Sequence, residues 1–312
     1  MKTRLGLAFA MLTLSTALAA DPALLALLPA DAKAVAGMNV DRAANSPFGQ
    51  FLLSQMKSDD AGFQKFVTAT GFDPRRDLRE LIAAGTLVPN QRGHGLVVAR
   101  GTFNGPLIIA AARTAGATIT SYKGVELVNH KTDRATFAIL DGNIAIAGED
   151  VLVKRAIDQR GGRVVIDPKI AVKANDVSAR FDAWAVSTAP VGNFAGAAPN
   201  AQAGAAMNSG ALQNIEQTSG GVRFGTMVEI VGEALTRSDK DALALVDVIR
   251  FVTGLMQMHR EKNPEAAKFA ALLDSMEVKA TASTVHVSLS IPQAEIEKLM
   301  KSKRAVRRAA VQ

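Results

Sequence analysis

Ser54-Gln55-Met56-Lys57 places a hydroxyl and an amine at Ser-x-x-Lys spacing. One helical turn brings the two groups together, and the lysine can then act as base toward a serine nucleophile. Ser54 and Lys57 are therefore the candidate catalytic pair, and a hydrolase of cell-wall or ester substrates is the reaction they would serve. The motifs that accompany such a pair are missing. No Ser-Asp-Asn occurs, and Lys131-Thr132-Asp133 lacks the glycine of Lys-Thr-Gly. The competing reading of Ser54 and Lys57 is a solvated helix end.

Other reactive residue types are sparse. The four histidines, His94, His130, His259 and His286, form no His-Glu-x-x-His and no pair at helical ligand spacing. There is no cysteine, which removes disulfides, thiolate metal sites and cysteine nucleophiles. Gly93-His94-Gly95 and Gly220-Gly221 each precede a strand-like stretch. Phosphate-cradling loops need the opposite order, strand then glycines then helix, so these glycines read as turn positions. No cofactor and no metal site is expected.

Charge is distributed unevenly. The chain has 312 residues and a formal net charge of +7, from 36 basic and 29 acidic side chains. Lys2 and Arg4 belong to an N-terminal stretch that runs basic, apolar (5–18) and then small (Ala17-Leu18-Ala19-Ala20). That order is a secretory leader, cleaved after Ala19 or Ala20. The apolar run is too short for a membrane span of about 20 residues, and no later apolar stretch of that length is free of charge. Lys298, Lys301, Lys303, Arg304, Arg307 and Arg308 crowd the last fifteen residues with no acid among them. The body between leader and tail is close to neutral. A concentrated basic tail suits an anionic lipid or envelope polymer. A nucleic-acid surface is not expected, because Trp184 and Tyr122 alone offer no stacking platform.

The elements that must position these groups follow from periodicity. Ala34 to Val40 reads as a strand, and Ser46-Pro47 as a capped helix start carrying Phe48, Phe51 and Leu52. Asp73-Pro74 starts a further helix with Leu78, Leu81 and Ile82 on one face and Gly85 as its stop. Gly95 to Phe103 is a strand, and Gly105-Pro106 opens a helix ending near Gly116. Lys123–Asn129, Ala135–Leu140 and Asn143–Ala147 are antiparallel strands, the last two joined at Asp141-Gly142. Glu149 to Gln159 is a helix. In the second half, Asp182–Ser187 is a strand and Leu212–Gln217 a helix. Gly221–Glu233 and Val278–Ile291 alternate as strands. Ser238 or Asp239 caps a long helix to about Lys262, Asn263-Pro264 restarts another, and one begins at Pro292. Residues 183–215 carry no charge at all, which suits a surface loop, or a lid or contact surface for an apolar or polysaccharide partner.

The expected class is α+β: two similar strand-helix-strand-helix-hairpin-helix halves, mainly antiparallel, with helices on one face. The organisation is leader 1–20, N-terminal half 21–170, C-terminal half 171–297 and basic tail 298–312. Leu28-Pro29-Ala30-Asp31-Ala32, Ser46-Pro47, Gly71-Phe72-Asp73-Pro74 with Asp77-Leu78, and Tyr122-Lys123-Gly124-Val125 resemble a loose group of uncharacterised exported bacterial proteins. The resemblance spans mainly residues 24–160. It implies an exported α+β protein and carries over no catalytic residue. The leading expectation is a periplasmic or secreted, non-enzymatic protein with a binding or envelope-associated role.

Overall fold

The structure, a computed structural model, describes residues 19–55, 60–86, 95–129, 135–191, 210–258, 275–298 and 300. Its strands are β1 (Ala34–Asn39), β2 (Leu78–Gly85), β3 (Gly95–Gly101), β4 (Thr118–Tyr122), β5 (Val125–Asn129), β6 (Ala135–Ile139), β7 (Ile144–Glu149), β8 (Ala183–Ser187), β9 (Ile215–Arg223), β10 (Met227–Thr236), β11 (Glu277–Thr281) and β12 (Thr284–Pro292). They form one twelve-stranded sheet in the order β11-β12-β10-β9-β8-β1-β2-β3-β7-β6-β5-β4. Every neighbouring pair is antiparallel. The helices are α1 (Pro22–Leu25), α2 (Val40–Asn45), α3 (Pro47–Gln55), α4 (Ala61–Thr70), α5 (Pro74–Asp77), α6 (Gly105–Thr114), α7 (Asp150–Asp158), α8 (Pro168–Arg180), α9 (Gly210–Gln213) and α10 (Asp239–Met258).

The two halves share this sheet, because β1 pairs with β8 at its centre. Each half then runs outward by the same course. From β1 the chain adds β2 and β3, passes through α6, and meanders back so that β7 pairs with β3. From β8 it adds β9 and β10, passes through α10, and returns so that β12 pairs with β10. The boundary expected at residue 170 falls inside α8.

The α+β class and the antiparallel pairing hold. Confinement of the helices to one face does not. On one face α1, α7 and α8 bury Leu24, Leu28, Val153, Ile170 and Val177 against Val35, Ile82, Leu96, Val98 and Val186. The intervening residues of the same strands point the other way. There Ala99 and Ala145 pack with Phe103 and Ile108 of α6, and Val285 packs under Ala242, Leu245 and Val246 of α10. Antiparallel strands whose two faces are both largely apolar need cover on both sides, and single-sided cover would leave these clusters in water.

Local expectations fared by element. Ser46 caps α3 as read, its Oγ accepting from Gly49 N at 2.9 Å. Gly142 takes the positive φ (76°) that the Asp-Gly hairpin requires. The helix proposed from Asp73-Pro74 stops after one turn, and Leu78–Gly85 is β2. Its apolar positions fit both periods over so short a run. Pairing with β1 on one side and β3 on the other decides for strand, with Ile82 fully buried. Gly221–Glu233 and Val278–Ile291 are hairpins rather than single strands, turning at residues 224–226 and at Ala282-Ser283. Three helices and a strand lie outside the sequence expectations: α2, α4, α8 and β4.

Candidate functional site

Of the sequence candidates, Ser54, His286 and Lys298 fall among the described residues. Ser54 is exposed on α3, where its Oγ donates to Phe51 O at 2.6 Å. Lys57 lies outside the described residues. So do Lys301, Lys303, Arg304, Arg307 and Arg308 of the tail, residues 1–18 of the leader, and His94, His130 and His259. Lys298 pairs with Glu295 at 2.7 Å. His286 sits 4.0 Å from Glu233 on the α8 side of the sheet. Lys173 and Arg180 of α8 also reach that carboxylate. Burial works to raise the Glu233 pKa, but the Lys173 hydrogen bond and the surrounding cations hold it below the ordinary value. This cluster fastens α8 to β10. Among the described residues no group of three or more His, Asp or Glu is placed to hold a metal.

A different feature emerges from the strand register. Directly opposed residues of an antiparallel pair share a face, so one row can be followed across the whole sheet. Its centre is Ala147, Val97, Ala83, Ala36, Ala185, Gly220 and Gly232, one residue each from β7, β3, β2, β1, β8, β9 and β10. Beyond them stand larger side chains. Phe137, Val128 and Ile119 continue the row on one side. Val287 and Val278 continue it on the other. None of the twelve is polar.

Side-chain size along this row shapes the surface. Phe137 packs in the cluster beneath α6, and Val287 and Val278 pack against the cluster beneath α10. Among the described residues no helix cluster covers the small central residues, and Ala36, Ala83, Ala185 and Val97 are exposed. The result is an open trough with a volume of about 1080 Å³, lined by the small residues of the central strands. Seven strands at a spacing of about 4.8 Å make its floor about 29 Å long across the strands. Among the described lining residues none is charged, and Ser187, Thr218 and Ser219 carry the side-chain hydroxyls.

Local chemistry keeps the floor flat. Gly220 and Gly221 lie inside β9, not in a turn, and this corrects the sequence reading. A Cβ on Gly221 would sit 2.4 Å from the Phe181 ring, and one on Gly220 would sit 2.2 Å from Val231 O. Both are places of close approach, the usual reason for glycine within a strand. Gly37 does the same beneath the floor, where a Cβ would fall 2.5 Å from Trp184 Cζ2. Trp184 can then lie flat under β1 and is almost completely buried. Part of the uncharged segment, Ala183–Ser187, is the β8 portion of the trough. Residues 192–209 of that segment lie outside the described residues. The sequence signal was the run of Ala and Gly at alternate positions in several strands. It identifies a trough only once the register aligns those strands.

The fold defines the chain as a twelve-stranded antiparallel α+β plate with an open apolar trough. No protein-family model matches it, and no curated protein matches it. Among solved structures, crystal forms I, III and IV of TP0453 share the fold. Form I has a TM-score of 0.51 at 7% identity over 91% of this chain and 99% of that one. Form III has 0.54 at 8% identity over 90% and 98%. Form IV has 0.51 at 9% identity over 90% and 96%.

Proposed function

We propose that the chain is an exported, non-enzymatic binding protein that holds an apolar, chain-like ligand in the trough. The observation that carries this reading is the row of small, uncharged residues across seven strands, which no other described element covers between the two helix-covered clusters. A volume of about 1080 Å³ is at the upper end of ligand pockets, about 300–1000 Å³. Recognition of a sugar, nucleotide or metal relies on converging polar groups, and the described lining offers hydroxyls only. A flexible hydrocarbon needs none, since its binding follows the apolar area removed from water. The basic-apolar-small order of residues 1–20 supports export, and the basic tail supports residence near an anionic envelope surface.

The test is equilibrium binding of the apolar fluorophore N-phenyl-1-naphthylamine to the full chain, followed by displacement with a long-chain fatty acid. Saturable binding and complete displacement are expected. A folded protein that binds neither compound refutes the reading.

A further inference from the structure

Glu80 is a half-buried carboxylate at the end of β2 with no ion-pair partner within 4 Å among the described residues. The two arginines near it are committed elsewhere. Arg100 pairs with Asp21. Arg42 pairs with Asp182 at 2.6 Å and donates to Ser178 O at 3.0 Å and to Phe181 O. What Glu80 does accept is the backbone N–H of Asp21, at 3.3 Å. The preceding N–H, that of Ala20, donates to Ser178 Oγ of α8 at 2.8 Å.

Among the described residues, burial sets in between Ala19 and Ala20. Ala19 is exposed and Ala20 is 2% exposed. From Ala20 onward the segment belongs to the main core, with Leu24, Leu25, Leu27 and Leu28 essentially inaccessible. The same bond follows Ala17-Leu18-Ala19, the small-x-small pattern of a leader cleavage site. Leader removal at that bond creates a cation in a defined place. Consecutive backbone nitrogens lie about 3.6 Å apart at most, so the α-nitrogen of Ala20 is within about 7 Å of the Glu80 carboxylate.

We propose that the leader is cut between Ala19 and Ala20, and that the α-ammonium so released docks between Ser178 and Glu80 as the counter-ion Glu80 otherwise lacks. Hydrolysis of the Ala19–Ala20 peptide bond consumes one water. It leaves a carboxylate on Ala19 and an ammonium on Ala20. Before the cut, the nitrogen of Ala20 is a neutral amide and Glu80 has no directly paired cation among the described residues. Burial pushes the Glu80 carboxyl above its usual range, and the Asp21 charge adds to this. The Asp21 N–H, Arg100 and Arg42 oppose them. Processing therefore stabilises the fold itself, besides removing the leader.

Intact mass and N-terminal sequencing of the exported protein should give Ala20 as first residue. A start at Asp21, or an uncut chain, overturns the proposal. Docking is tested apart from export with leaderless chains beginning at Ala20 or carrying Gly-Ser ahead of it, each with and without Glu80→Gln. The Gly-Ser extension should lower the urea midpoint in the Glu80 chain and leave the Glu80→Gln chain unchanged. An equal effect in both refutes the pairing. A readout that needs no substitution is NMR titration of ¹³C-labelled Ala20 in the chain that begins there. A docked amine titrates about one unit or more above the ordinary 7.7–8.0, a tenfold gain in proton affinity. An ordinary value refutes docking.

Discussion

Ala36→Phe tests the trough at its midpoint. Ala36 is exposed on the central strand β1, between Ala83 and Ala185 at the same register. A phenyl group there meets no covering helix and suits a strand position. Stability should therefore change by no more than about 0.5 kcal/mol, as for other surface substitutions. The ring instead occupies the floor. If it denies a bound chain about 100 Å² of apolar contact, the loss at about 25 cal/mol per Å² is about 2.5 kcal/mol. That is a roughly 60-fold rise in Kd, since about 1.4 kcal/mol corresponds to tenfold. The assay is N-phenyl-1-naphthylamine titration beside a urea melt of the same sample. Ala244→Phe, on the exposed face of α10, is the control and should bind as the parent does. A folded Ala36→Phe protein with unchanged affinity would refute the assignment of the trough as the binding site.

Other perturbations probe the supporting structure. Gly37→Ala drives a methyl toward Trp184 Cζ2 at 2.5 Å and should cost about 1–3 kcal/mol by overpacking. Because Trp184 is the sole tryptophan, a shifted emission maximum would accompany the lower urea midpoint, and an unshifted one would contradict the packing described. Leu28→Ala removes a fully buried side chain from the main cluster and should cost about 2–5 kcal/mol; a loss below 1 kcal/mol would show that the 20–32 segment is not core. Glu233 has a depressed folded-state pKa. Its contribution is therefore complete above the unfolded carboxylate value and is lost as pH falls through the folded one. Lys173→Met should lower stability at neutral pH and flatten the acid limb of the stability profile. An unchanged acid limb would count against the ion pair.

How much of this was legible in the chain depends on the range of the interaction involved. The cap at Ser46 and the turn at Asp141-Gly142 read correctly because their physics is contained in a few neighbouring residues, whereas the turn expected at Gly220-Gly221 lies inside β9. Ser46-Pro47 and Asp141-Gly142 fix hydrogen bonds and dihedrals whatever surrounds them. α8 carries equally local signals, Asp167-Pro168 at its start and Ile170, Ala174 and Val177 on one face. β2 is a different matter. Leu78, Leu81 and Ile82 satisfy a helical face as well as a strand, and backbone pairing from both sides decides between them.

The sequence by itself determined the absence of cysteine chemistry, the crowding of basic residues into the last fifteen positions beside a near-neutral body, and the α+β class. Each of these rests on composition or on spacing within a short window. Tertiary structure decided that the two halves form one sheet, that helices cover both faces, and that the small residues of seven strands fall into a single row. Ala36, Ala83, Ala185 and Gly220 are far apart in the chain and unremarkable one by one. Register places them side by side, and it is set by cross-strand hydrogen bonds and by which face each strand must bury. A one-residue slip would turn those positions to the opposite face and erase the trough.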